Sequence, residues 1–209
     1  MRLVIPSVAR NLGCGNAPPP RSLAALGMTL LFLVLTACQR HSDLPKLFPV
    51  PNVPLVNETG QSVTLGQNKG FVTVYDFIYT NCAGTCPMMT QAMRKLTPKV
   101  PKDAAVKFVS ISIDPTRDTP HVLRDYATAY RNDPRWTFLT GERRTIVDLS
   151  VNGFKLAAGD PGPGSDPLLH SSKFVVADKS GTIREYYGGT DGDAPDHVAK
   201  TVKDLLRED

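Results

Sequence analysis

Residues 71–87 read FVTVYDFIYTNCAGTCP: a β-prone run ending at Ile78, then a short stretch that carries Cys82 and Cys86 and closes on Pro87. A continuous run of this kind, bounded by turn signals, predicts a strand buried on both faces, as in a parallel sheet. Residues 88–100 follow as a helix, with Met89, Met93 and Leu96 at helical spacing. The cysteines therefore fall between the carboxyl end of a buried strand and the start of a helix, where ligands gather in open α/β sheets.

Working outward, residues 53–56 and 62–65 flank the turn Asn57-Glu58-Thr59-Gly60 and predict a small N-terminal hairpin. Residues 106–113 (VKFVSISI) make a second buried strand, stopped by Asp114-Pro115. Thr119-Pro120 opens a helix to Tyr130, with threonine as cap and proline in the first helical position. A short strand over 136–139 and a helix over 142–152 come next. Residues 157–169 (AAGDPGPGSDPLL) form a Gly/Pro-rich loop. Strands over 173–177 and 182–187 pair across Asp178-Lys179-Ser180-Gly181, and a final helix, capped by Asp193 or Asp196, runs to Leu206. Alternating strands and helices followed by a hairpin and a last helix predict an α/β fold: a central mixed sheet with helices on both faces.

The N-terminus has a different character. Residues 23–35 (LAALGMTLLFLVL) are apolar, Arg2, Arg10 and Arg21 precede them, and Leu35-Thr36-Ala37-Cys38 ends the run. This pattern predicts a secretory signal over 1–37, with an apolar run short for a membrane span. Its end resembles a bacterial lipobox, in which Cys38 receives the lipid; a plain uncleaved anchor is the alternative. Either places residues 38–209 outside the cytoplasm, tied to a membrane on its extracytoplasmic (periplasmic) side. Residues 38–54 read as a Pro-rich tether and 55–209 as the folded domain. Of 24 basic residues three lie in the leader, which has no acid, so the remaining 21 face 20 acids. That near-neutral balance gives no nucleic-acid surface.

Four cysteines occur. Cys14 leaves with the signal and Cys38 is the candidate lipidation site, so Cys82 and Cys86 remain. A ring closed between them removes little unfolded-chain entropy, so reactivity explains the pair better than stapling does. At a helix start, free N–H groups and the dipole favour thiolate, Gly84 lets the loop turn back, and Pro87 suits the first turn. Two thiolates are soft ligands for Cu(I) and also for Zn, whereas a structural zinc site requires four protein ligands. Low-coordinate Cu(I), an open zinc site and thiol chemistry alone all fit the pair.

A third ligand would be one of four histidines. His41 lies in the tether, and His121 and His197 lie in first turns of predicted surface helices. His170 stands apart, where the long Gly/Pro loop meets a strand; loops of this length without secondary structure are usually functional or mobile. On residues alone it is either a solvated side chain or a ligand. Met89 and Met93 read as core on a buried helix face, which leaves Met88 as the thioether beside the cysteines.

The chain resembles the Sco (SenC-like) copper proteins over about 48–206. The resemblance rests on Phe77-Ile78-Tyr79-Thr80 before Cys82-x-x-x-Cys86-Pro87, on Ser110-Ile111-Ser112-Ile113-Asp114-Pro115 with Asp118-Thr119-Pro120, on Leu139-Thr140-Gly141 and on His170-Ser171. It implies a thioredoxin-like fold with an added hairpin, and copper, as Cu(I) or Cu(II), held by Cys82, Cys86 and His170. It implies a metallochaperone serving the copper centre of cytochrome c oxidase, or a thiol–disulfide oxidoreductase acting on the cysteines of a copper-protein target through Cys82 and Cys86. Ala83-Gly84 stand where the family often has Pro-Asp, and Leu169 where it often has an Asp before the histidine. Cys82 lacks the Pro-x-x-x-Thr-x-x-Cys frame of thiol peroxidases, and Pro87 after Cys86 breaks the haem-attachment pattern.

Overall fold

A computed structural model describes residues 43–156 and 171–208. The expected leader 1–37, Cys38, His41, the loop 157–169 and His170 lie outside the described residues. In chain order the elements are β1 (Pro54–Asn57), β2 (Ser62–Thr64), β3 (Val72–Ile78), α1 (Thr85–Leu96), β4 (Val106–Ser112), α2 (Pro120–Tyr130), β5 (Trp136–Thr140), α3 (Arg143–Asp148), β6 (Lys173–Ala177), β7 (Ile183–Gly188) and α4 (Ala194–Leu206).

The strands form one mixed sheet in the order β2-β1-β5-β4-β3-β6-β7. β3, β4 and β5 are parallel neighbours, and the β1–β2 hairpin extends the sheet antiparallel to β5. β6 and β7 add antiparallel strands beside β3. Every residue of β3 is buried, as its continuous β-prone run predicts, Thr73 and Asp76 included.

Successive side chains of a strand face opposite ways, so β3 serves two cores. Val72, Val74 and Ile78 pack with Cys86, Met89, Met93 and Leu96 of α1, Leu123 and Ala127 of α2, and Val198, Val202 and Leu205 of α4. Tyr75 and Phe77 face the other side, with Ile146 of α3, Leu149 and Phe154. The Phe154 ring sits edge-on to Tyr75 and Phe77 at centroid distances of 5.0 and 5.2 Å. Each such buried large side chain contributes roughly 1.5–3 kcal/mol.

Two helices depart from their expected limits. α1 spans Thr85–Leu96 rather than 88–100. Cys86 and Pro87 enter its first turn, where a missing N–H costs nothing because no intrahelical acceptor exists there. At the other end Pro98 cannot donate to Arg94 O, so the chain tightens into a 3-10 turn over Thr97–Lys99. Asn132 Nδ2 donates to that carbonyl instead at 2.9 Å. The helix expected over 142–152 is α3 followed by a π turn over Leu149–Gly153.

Residues 44–50, which the sequence assigns to the tether, run beside β7. Leu47 N–H donates to Ile183 O at 2.9 Å and Ile183 N–H to Phe48 O at 2.7 Å. Arg184, fully buried, donates to Pro45 O and Leu44 O and pairs with Asp178 and Glu208. Among the described residues no helix is long and apolar enough to cross a membrane.

Candidate functional site

The site begins where β3 ends. After Ile78 the chain leaves the sheet through Tyr79 and Thr80, turns through Asn81–Gly84, and re-enters regular structure as α1. Cys86 is the second residue of that helix, and its backbone N–H is one of the donors a helix start leaves unpaired. The N-cap, Gly84, has no side chain to accept it. Cys82 Sγ does so, at 3.4 Å. The first sulfur thus caps the helix that carries the second, and the three-residue spacing read from the sequence becomes one contact.

Both cysteines are free thiols, Cys82 partly accessible and Cys86 buried at 5% exposure. Their environments push them apart. Burial alone would raise the Cys82 thiol, but the Cys86 thiol, the N–H groups of Cys86 and Gly84, and the Tyr79 hydroxyl all favour its thiolate, and the net direction is down. Burial raises the Cys86 thiol, and the adjacent Cys82 sulfur raises it further. Tyr79 is raised as well, by burial and by its hydrogen bond to Cys82. A partly exposed sulfur that favours thiolate beside a buried one that does not has the chemistry to attack and to resolve a disulfide; deprotonated together, the two could offer soft donors at one point.

Beside Cys86 lies a cavity of about 120 Å3, lined also by Phe77, Thr85, Met89, Ile113, Ser171 and Ser172. Ser171 is the residue after His170, so the chain that carries the predicted histidine returns to the described fold at the wall of the Cys86 cavity. His170 itself, like the lipidation candidate Cys38, lies outside the described residues. Among the described residues no three His, Cys, Asp or Glu side chains converge as a metal-binding group.

The remaining candidates separate clearly. His121 and His197 are solvent-facing, beside Asp125 and Asp193 one helical turn away. Met89 and Met93 are core residues at 1% and 0% exposure, whereas Met88 is 55% exposed. It lies at an open groove with Pro87, Gln91 and Gly189.

Three residues of the site went unread in the sequence. Tyr79 and Thr80 stood within a quoted motif without a role, and Asp76 was absorbed into an apolar run. Asp76 is fully buried, and neither of its carboxyl oxygens meets a hydrogen-bond partner among the described residues. Burial pushes it up to about 7. The Ser110 hydroxyl, opposite it on β4, favours the carboxylate. That hydroxyl oxygen accepts from Trp136 Nε1, however, and makes no well-formed bond to Asp76. The available signal was a lone acid in a strand predicted to be buried on both faces.

A dithiol at the strand–helix junction of a mixed α/β sheet defines a thioredoxin-like protein, and the comparisons place it more narrowly. The family model described as SCO1/SenC matches residues 51–207. A SCO1 protein homolog from Bacillus subtilis is 34% identical over 179 residues, 83% of this chain and 92% of that protein. The solved structure of BsSco, a member of the Sco family of cytochrome c oxidase assembly proteins in which a disulfide switch was identified, has 30% identity and a TM-score of 0.69. It covers 80% of this chain and 98% of its own. Bradyrhizobium japonicum ScoI, solved with copper bound, has the same fold at a TM-score of 0.63 and 24% identity, over 76% of this chain and 99% of its own. The chain belongs to the SCO1/SenC family.

Proposed function

We propose that this protein is a copper carrier that binds the ion through Cys82, Cys86 and His170 and hands it on to the copper centre of cytochrome c oxidase, or to another exported copper protein. The observation that carries this reading is the contact between Cys82 Sγ and the Cys86 N–H, which holds two unoxidised sulfurs together at a helix start. Two thiolates suit Cu(I), and two sulfurs alone leave it room for one more donor. The position of Ser171 beside Cys86 supports His170 as that donor. Membership of the SCO1/SenC family supports the cargo and the oxidase.

The test is anaerobic titration of the reduced protein with Cu(I) against a competing chelator. One ion per chain is expected, with loss of binding in Cys86→Ser and weakening in His170→Ala. A wild type that cannot compete with the chelator, or a His170→Ala that binds as wild type does, ends the three-ligand reading.

A second reading, a thiol–disulfide oxidoreductase, is favoured by the opposed environments of the two thiols. Cys82 thiolate attacks a target disulfide and forms a mixed disulfide. Cys86 then attacks Cys82 Sγ, leaving a target dithiol and an oxidised pair, with two electrons passed to the target. Turnover with a disulfide substrate that ignores His170→Ala separates this reading from the carrier. For both, the signal over 1–37 directs export, and lipid on Cys38 holds the domain at the extracytoplasmic face of a bacterial membrane. Membrane association lost in Cys38→Ala would support this, and association retained in that variant would count against it.

A further inference from the structure

The motif Ser112-Ile113-Asp114-Pro115 with Asp118-Thr119-Pro120 holds no thiol and no imidazole, yet Ser112, Asp114 and Asp118 are buried near the cysteine loop. Asp118 is fully buried. Its Oδ2 accepts from Thr80 N–H at 3.0 Å and from Ser112 Oγ at 2.6 Å, and its Oδ1 accepts from Thr80 Oγ1 at 2.5 Å. One carboxylate thus joins the end of β4, the residue before the α2 cap and the chain two residues ahead of Cys82.

The carboxylate is itself well held. Asp118 N–H donates to Asp114 O at 2.8 Å. Asp114 N–H donates to Ser112 Oγ at 3.1 Å, so Ser112 bridges both acids. Thr119 Oγ1 then accepts from Val122 N–H and caps α2. On the other side of the loop, Cys86 is fixed by α1 and the core beneath it. Between these anchors Asn81, Ala83 and Gly84 are exposed. The first sulfur is therefore placed from the Thr80 side and the second from the helix side.

We propose that Asp118 is the positioning residue of the cysteine loop: by gripping both the backbone N–H and the hydroxyl of Thr80, it holds Cys82 Sγ against the Cys86 N–H. The copper arm of the test rests on the copper reading given above; the thiol arm does not. A buried carboxylate that only supported stability would have no need to spend two of its three bonds on the residue that leads into Cys82. Groups that orient a ligand through hydrogen bonds typically change metal affinity about 10–100-fold when lost.

The experiment compares wild type with Asp118→Asn, Thr80→Val, the double variant, Thr80→Ser and Val202→Ala, a control in the core under α4. Each is measured for Tm, for Cu(I) affinity against a chelator, and for the rate of Cys82 alkylation by iodoacetamide in the metal-free reduced protein. Asp118→Asn keeps the side-chain volume, and Thr80→Val tests the same contact from the other partner should Asp118→Asn fold poorly. Expected are a loss of about 10–100-fold in Cu(I) affinity and an altered alkylation rate in both single variants. The double variant should be no worse than the worse single one, Thr80→Ser should recover affinity relative to Thr80→Val, and Val202→Ala should lower Tm alone. Three results would each overturn the proposal: additive losses in the double variant, the same losses in Val202→Ala, or a lowered Tm in Asp118→Asn with affinity and alkylation rate intact. A wild type that binds no Cu(I) defeats the copper reading, and the alkylation arm still decides the role of Asp118.

Discussion

Cys82 Sγ accepts the backbone N–H of Cys86 from 3.4 Å, so the first sulfur of the pair caps the helix that holds the second. The contact makes the two thiols unequal. Cys82 gains donors and keeps access to solvent, whereas Cys86 is buried and gains mainly a neighbouring negative sulfur.

Alkylation should expose that inequality. With limiting iodoacetamide at neutral pH, Cys82 is expected to be modified at least about tenfold faster than Cys86, because thiolate and access govern the rate together. Peptide mass spectrometry of the quenched reaction reads the order directly. Equal labelling would mean that the loop opens in solution.

Oxidation should close the site to copper. A disulfide between Cys82 and Cys86 consumes both sulfur donors, so the oxidised protein is expected to take up no Cu(I), and reduction is expected to restore one ion per chain. Titration before and after treatment with a phosphine reductant measures it. Uptake by the oxidised protein would place the ion elsewhere.

Asp76 predicts a pH dependence of opposite sign to the usual carboxylate. Its pKa rises from 3.8 to about 7 on burial, so between those values the native state holds a proton that the unfolded chain has released. Stability from this group is therefore intact at low pH, falls as pH rises through that window, and is fully lost above it, by something on the order of 4 kcal/mol. Asp76→Asn removes the titrating group. Its advantage over wild type in urea midpoint should be small at pH 4 and larger at pH 8. Cys86 and Tyr126, which face Asp76 from α1 and α2, would each deepen the penalty if ionised. A pH-independent difference between the two proteins would contradict the assignment.

Arg184 should hold the first described segment to the domain. Its guanidinium, without solvent exposure, pairs with Asp178 and Glu208 and donates to the carbonyls of Leu44 and Pro45. Arg184→Ala leaves two acids without their partner and is expected to cost about 3–5 kcal/mol. Arg184→Lys should recover little, since an ammonium cannot reproduce the planar fork. Denaturant midpoints give the loss, and faster cleavage within 44–50 under limited proteolysis gives its location. Unchanged cleavage would show that the pairing of Leu47 and Phe48 with Ile183 suffices.

Much of this protein was legible because its signals are local. The apolar run of β3, the Thr119-Pro120 start of α2, the spacing of Met89, Met93 and Leu96, and the Cys82/Cys86 interval are each written within one turn or strand. Pattern and propensity act at that range, and so the element order, the mixed sheet and the dithiol followed from the residues. The start of α1 was misplaced by three residues because Thr85 and Cys86 have low helix propensity, although Pro87 suits a first turn.

What the linear chain could not decide depends on residues brought together from far apart. Thr80 meets Asp118 across 38 positions, and Ser171 reaches the cavity of Cys86 across a still longer stretch. The carboxylate of Asp76 turned from one acid in a strand into a buried group with no hydrogen-bond partner among the described residues only once α1 and α2 had covered it. Sequence determined which atoms are available for the chemistry, two sulfurs above all. Tertiary packing decided their inequality, because accessibility, hydrogen-bond donors and local dielectric are properties of the assembled surroundings rather than of any residue alone.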